Sequence, residues 1–530
     1  MKRQTWKKYH KWLGIGFCFF TLMFAVSGII LNHRHMYGKV NISRNCLPRQ
    51  FQFTGWNNGL LRGTLPYNDS IIVYGAGGIY LADPSATTYY DFNTGLPESA
   101  DSRNIRSVVQ TADSTLFAVA PYDFYKFADG TWQRIPVGSQ SPLSPTRFTD
   151  IATHGDSLVL LSRDEVYLSL PPYKHFHRIQ LKRAEGIDGK TTLFRIVWLI
   201  HNGEMFGLPG RVVIDLMGLL FIFLCTTGLV IWTSQLAIKR NSRRHGAMLK
   251  ATQKTFRWNF KWHEKFGRWT IILTLFLCIT GWALRPPLLI ALVKCRVSPI
   301  PFTMLDTPNP WADKLRMIEW DDRSNEWLLS TSEGFFTLPS FDDTPVKDTS
   351  APPVSVMGLN VMKPIRNAQS AEPIDNAQSA VPVDSAQSAE PVDILQSPTD
   401  DKWIIGSFSG LFVWDREHDA AYDYYTGEPA PRTAGAPFGK LAVSGYTDDF
   451  PFPPVVATYY EGTLSSDMPQ PEELRTLPMS LWSLALEVHT GRIYTFLCGA
   501  ETLVYVFIAG IIIGFILWSG WKLRTRKKVQ

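Results

Sequence analysis

Lys8-Tyr9-His10-Lys11-Trp12-Leu13-Gly14 returns 253 residues later as Lys261-Trp262-His263-Glu264-Lys265-Phe266-Gly267, and what surrounds the two copies decides the fold. The offset persists without a gap, so that Ser27-Gly28 matches Thr280-Gly281. A second motif repeats too. His201-Asn202-Gly203 matches His489-Thr490-Gly491 at an offset of 288, and Gly228-Leu229-Val230-Ile231-Trp232 matches Gly514-Phe515-Ile516-Leu517-Trp518 at 286. The later offset also pairs Asp215 with Glu501. Repetition of this kind marks a duplicated structural unit.

Each motif borders or overlaps an apolar block. Trp12 to Leu31 carries no charge, Val212 to Trp232 is interrupted only by Asp215, and the other two blocks run from Trp269 to Leu284 and from Thr502 to Trp518. About 20 apolar residues, rising 1.5 Å each, cross a hydrocarbon core of roughly 30 Å. The third block is short before Arg285-Pro286-Pro287, although Leu288-Val293 resumes it. The first is longer than a signal-peptide core, and no small-residue cleavage site follows Gly28, so it is read as retained. The sequence therefore predicts a membrane protein with helices at 12–35, 201–233, 266–293 and 489–521. These form a four-helix transmembrane bundle from a tandem two-helix repeat, its halves related by an axis along the membrane normal.

Basic residues gather in three segments. Five lie within 1–11, nine from Lys239 to Lys265 within the connection 234–265, and five from Lys522 to Lys528 in the tail 522–530. With four alternating helices all three segments share one side, which the positive-inside rule makes cytoplasmic. The net charge of +6 then reflects orientation in the bacterial inner membrane. No basic stripe in a soluble segment speaks for nucleic acid. Cys18, Cys225, Cys278 and Cys498 fall in the spans as small apolar residues. Cys46 and Cys295 fall outside, where disulfides are permitted; a Cys46–Cys295 bridge and two separate thiols are both open.

The two extracytoplasmic segments, 36–200 and 294–488, have another character. Short runs rich in Tyr, Phe, Val, Ile and Leu alternate with Gly, Asp, Asn and Pro turns. One unit of two strands and a tight turn appears at Ile71-Ala82, Thr115-Phe127 and Leu158-Leu168, with starts 44 and 43 residues apart, and returns at Glu326-Leu338 and Lys402-Trp414. Within 366–399 lie three near-copies of a nine-residue Pro/Ala/Ser/Gln unit, too polar to bury a core and expected to be disordered. Spacings near 40–45 residues suit propeller blades. Five units from two loops would close one small propeller; a β-rich domain of other topology stays open.

Six of the eleven histidines stand near helix ends: His10, His33, His35, His201, His263 and His489. His10 and His263 are equivalent in the repeat and share the cytoplasmic face; His201 and His489 share the outer face. Neutral imidazoles on facing helices of a bundle are the usual axial ligands of haem iron. His10 and His33 are about 34 Å apart along a helix, so two haems are expected, one near each face. His33 or His35 could replace a duplicated ligand at the outer one. Asp215 and Glu501 are carboxylates in or beside apolar spans, a costly placement that suggests proton uptake or ligand contact. Arg34 and Arg285 could pair with haem propionates. Capping or interfacial roles are the plainer reading of each residue taken alone.

The motifs around His10 and Ser27-Gly28, and around His201-Asn202-Gly203 with Phe206-Gly207 and Gly228 through Trp232, resemble the helix signatures of PepSY-associated transmembrane-helix proteins; those at His263 and His489 repeat them. That family includes iron-regulated inner-membrane proteins and siderophore-iron reductases holding b-type haems between helices. The resemblance covers the helices and their flanks, and the family's small α/β module is not found. It implies a haem b electron-transfer protein of the ferric-reductase kind that passes electrons to a periplasmic ferric or ferric-chelate acceptor. No G-x-G-x-x-G opens a helix, so the donor would be a cytoplasmic protein or a membrane quinol. The rival expectation is a non-redox accessory or sensor protein, anchored by its helices and binding a ligand or partner through its β head.

Overall fold

The computed structural model describes all residues except 1, 142–143, 241–246, 354–357, 366–401, 432–440, 464, 496–501 and 524–530. The expected disordered repeats at 366–399 thus lie outside the described residues. The chain divides into two compact units: a helical one of residues 1–40, 189–306 and 481–530, and a β-rich one of residues 41–188 and 307–480.

Among the described residues of the β-rich unit, four-stranded antiparallel meanders run through 63–91, 107–134, 148–179, 315–348 and, fifth, 359–364 with 402–423, and a sixth, two-stranded sheet joins Val443–Thr447 to Val455–Thr458. Their second strands are apolar on both faces because each sheet is sandwiched between two others. Alternate residues of Ser70–Gly75 show this: Ile72 packs with Val108, Leu116 and Tyr125 of the second sheet, whereas Ile71 and Val73 pack with Val455 and Ala457 of the sixth. The same two-residue alternation sends Phe117 and Val119 against Ile151 and Leu160, and Val159 and Leu161 against Ile318 and Leu329. Leu328 then meets Trp403 and Ile405, and Ile404 meets Val443 and Tyr446. Six cores joining six sheets in a closed circuit is a propeller arrangement. The circuit closes through the N-terminal stretch, where Asn58 N donates to Tyr459 O and Thr463 N to Gly55 O. One turn recurs before the third strand: Gly78, Gly334 and Gly410 have φ of +115°, +116° and +134°, a region only glycine adopts without strain.

The helical unit contains α1 (Arg3–Asn32), α2 (Arg34–Tyr37), α3 (Leu193–His201), α4 (Gly207–Arg240), α5 (Ala247–Trp269), α6 (Ile271–Ala283) and α7 (Leu288–Lys294). After α8 (Glu472–Arg475), a single turn in the β-rich unit, come α9 (Leu481–Thr490) and α10 (Thr502–Lys522). Among the described residues three helices are long and apolar enough to cross a membrane, or four if α5 and α6, bent by 67° at their junction, count as one span.

The predicted boundaries need correction in three places. The third span, expected as 266–293, is broken twice. Thr270 leaves helical geometry (φ −103°, ψ 6°) between α5 and α6, and Pro286-Pro287, which lack amide donors, follow the end of α6. The basic connection, expected at 234–265 as a loop, is largely helical in α4 and α5. Finally, His201 and His489 do not open the second and fourth spans but close the short helices α3 and α9. Each is followed by a left-handed glycine, Gly203 (φ +81°) or Gly491 (φ +79°), and one 3-10 turn. A side chain at Gly203 would strike the backbone of Gly210, so the reversal requires glycine there. Cys46, in the β-rich unit, and Cys295, in the helical unit, are both exposed thiols.

Candidate functional site

Two pairs of histidines meet inside the helical unit. The rings of His10 (α1) and His263 (α5) have centroids 6.2 Å apart at 69°, and those of His201 (α3) and His489 (α9) are also 6.2 Å apart, at 49°. These are the four duplicated histidines, paired as the repeat implies.

Each ring is held in the same way. His10 Nδ1 lies 3.2 Å from Ser519 Oγ and 3.1 Å from Ile516 O. His263 Nδ1 lies 2.9 Å from Thr227 Oγ1, His201 Nδ1 3.1 Å from Thr280 Oγ1, and His489 Nδ1 3.0 Å from Ser27 Oγ and 3.1 Å from Phe24 O. The residue after each hydroxyl is a glycine against which the imidazole edge rests. A Cβ on Gly520, Gly228, Gly281 or Gly28 would stand 3.0, 3.5, 2.7 or 3.3 Å from the Cε1 of His10, His263, His201 or His489 respectively. Four Ser/Thr-Gly dipeptides therefore cradle four histidines. The hydroxyls bond back to their own helices, as Thr227 does to Phe223 O at 2.7 Å, which fixes where each oxygen points. With Nδ1 engaged, Nε2 has no hydrogen-bond partner among the described residues and is the nitrogen left for a ligand.

Two imidazoles sharing one metal, at metal–nitrogen distances of about 2 Å, set their ring centres about 6 Å apart, which the two pairs match. Trp282, next to the cradle glycine Gly281, leaves its indole Nε1 buried with no partner among the described residues. No group of three or more His, Cys, Asp or Glu that could hold a bare metal forms among the described residues, and each pair offers two donors only. The donor set fits iron already held in a macrocycle.

Helix α1 links the pairs: it carries His10 near one end and the Ser27-Gly28 cradle near the other, roughly 25 Å apart at 1.5 Å per residue. Aromatic rings line the interval. Phe20 stands 5.8 Å from Phe17, 5.3 Å from Tyr505 and 6.4 Å from Tyr494, and Phe24 lies 5.9 Å from His489.

The remaining candidates are placed elsewhere. His33 Nε2 lies 2.9 Å from Asp215 Oδ2, while Asn32 Nδ2 donates to Asp215 Oδ1 at 2.9 Å. The half-exposed His33 and exposed His35 thus join neither pair, and Asp215 is held by its neighbours on α1. Glu501 lies outside the described residues. The Arg34 guanidinium sits 3.9 Å over the Trp482 ring. The offset of 286 assigned Gly514 the role of Gly228, but Gly514 faces Cys278 and the cradle is Gly520, six residues on. Sequence reading missed Ser519-Gly520 for that reason; the recurring Ser/Thr-Gly dipeptide was the available signal.

Residues 1–235 match the family described as the PepSY-associated TM region, the family that the helix motifs resemble. No curated protein matches the sequence. Among solved structures, the chain is similar to the extracellular domain assigned to a one component system of B. thetaiotaomicron, with 8% identity and a TM-score of 0.30 over 71% of this chain. It is also similar to the extracellular domain assigned to a hybrid two component system of the same organism, with 8% identity and a TM-score of 0.29 over 70% of this chain. This chain spans 29% and 28% of their lengths.

Proposed function

For a chain whose first 235 residues match the PepSY-associated TM region, we propose transmembrane electron transfer through two b-type haems, one between His10 and His263 and one between His201 and His489. The observation that carries this reading is one arrangement made four times: an imidazole with Nδ1 on a helix-borne hydroxyl and its edge on the following glycine. Histidines that ligate metals donate their second ring nitrogen to an oxygen in this way, which fixes the tautomer and raises ligand basicity. Haem held there would supply one-electron chemistry. The protein supplies geometry and a dry environment: Ser519, Thr227, Thr280 and Ser27 orient the ligands, and Phe17, Phe20, Phe24, Tyr494 and Tyr505 fill the space between the two sites.

On this reading the helices form a four-span bundle from a tandem two-helix unit in the bacterial inner membrane. Both termini and the basic connection face the cytoplasm, and the β-rich unit lies outside. The donor is a cytoplasmic protein or a quinol. The acceptor is ferric iron in a chelate, as the resemblance implies. Proteoliposomes with ferricyanide trapped inside and dithionite added outside test the transfer. The wild-type protein is expected to reduce the trapped oxidant, and His263→Ala to leave it oxidised. Equal rates for both and for empty liposomes would leave only an anchored β head.

A further inference from the structure

Helix α5 carries a feature that the paired histidines do not use. Its basic residues Lys250, Lys254, Arg257, Lys261, Lys265 and Arg268 recur at intervals of three and four. At 3.6 residues per turn all six fall within an arc of about 80°, on the side away from His263. Trp258, Trp262 and Trp269 form a second stripe beside that row on the same helical wheel. Lys265 Nζ lies 4.7 Å from the Trp262 ring and 4.3 Å from the Trp269 ring. Trp258 and Trp269 are 54% and 67% exposed, and five of the six basic residues are exposed. The helix holds one acidic residue, Glu264, which is engaged by Arg268.

We infer that α5 is a lipid-reading surface, its Lys/Arg row binding the phosphates of anionic lipids in the leaflet it borders. Six cations cannot enter hydrocarbon at tolerable cost, yet α5 leads directly into the apolar α6 across the 67° bend, which sets it at the mouth of a span. Tryptophans beside a basic row are what the headgroup region selects: indole settles at the interface and ammonium groups reach phosphate. An acidic protein partner would use the cations but would leave the tryptophan stripe unexplained. The inference rests on the membrane reading of α4 and α6 and holds whether or not the histidines carry iron. Because His263 lies on the same helix, lipid binding would also steady the His10–His263 pair.

The test is a titration of delipidated full-length protein in detergent with phosphatidylglycerol or phosphatidylcholine of identical acyl chains, bound lipid being counted by native mass spectrometry. The wild type is expected to prefer phosphatidylglycerol, and raising salt to roughly 0.5 M to erase that preference. In K250Q/K254Q/R257Q/K261Q, confined to exposed positions, affinity for phosphatidylglycerol falls about fivefold per residue neutralised. Equal binding of both lipids by the wild type overturns the inference. So does an unchanged preference in the variant, or capture of an acidic soluble protein by a row indifferent to lipid.

Discussion

Replacing Gly281 by alanine puts a methyl carbon 2.7 Å from His201 Cε1, closer than non-bonded carbons approach. The imidazole has to move by several tenths of an ångström, and its Nδ1 is tied to Thr280 one residue earlier. Overpacking of this kind costs about 1–3 kcal/mol. At 1.4 kcal/mol per factor of ten, that is a loss of roughly 5- to 150-fold in whatever affinity depends on the ring's position. The same methyl on Gly520 stands 3.0 Å from His10, on Gly28 3.3 Å from His489, and on Gly228 3.5 Å from His263, an ordinary contact. Alanine also exceeds glycine in helix stability by about 0.5–1 kcal/mol. Gly228→Ala should therefore melt slightly higher than the wild type and keep its haem, whereas Gly281→Ala should lose haem. Haem bound per chain across a haem titration, with melting temperature alongside, reads both. Losses should rank 281, 520, 28, 228; four variants with equal, wild-type haem affinity would refute the cradle.

Thr227→Val removes the hydroxyl facing His263 Nδ1 and should weaken haem binding at that site by about 10- to 100-fold, while Thr227→Ser restores it; haem titration of both variants checks this. His33→Ala and His35→Ala should retain every haem of the wild type, since His33 faces Asp215 and His35 faces solvent; a visible spectrum of each suffices. In the β-rich unit, burial raises the Asp150 carboxyl to about 7 although Ile318 N donates to it at 3.0 Å. The unfolded carboxyl titrates near 3.9, so the native state keeps a proton that the unfolded chain releases. The stability this contributes is complete below about pH 4 and is lost as pH rises through 7. Asp150→Asn should melt near the wild-type temperature at pH 4 and several degrees above it at pH 8, as thermal scans across that range would show.

The sequence motifs around His10, His263, His201 and His489 foretold which residues meet because duplication forces equivalent positions together. Their rings came within 6.2 Å without any further signal. The strand units were legible for a related reason: a sheet packed on both faces writes continuous apolar runs such as Ile71–Val73 and Leu158–Leu161. The sixth sheet was not, because Val443–Thr447 and Val455–Thr458 pair only with each other among the described strands and borrow bonds from residues 55–62, some 400 positions away. Likewise hidden was α5, whose cations mask its helical period in a hydropathy reading. The reversal at Gly203 and Gly491, which sets His201 and His489 at helix ends, depends on a backbone angle that composition does not reveal.

The central claim is that each histidine pair shares one iron, and haem stoichiometry tests it most directly. Pyridine haemochrome assays on purified full-length protein should give two haems per chain, one in His263→Ala, one in His489→Ala and none in the double variant. Two haems in both single variants, or none in the wild type, would contradict it.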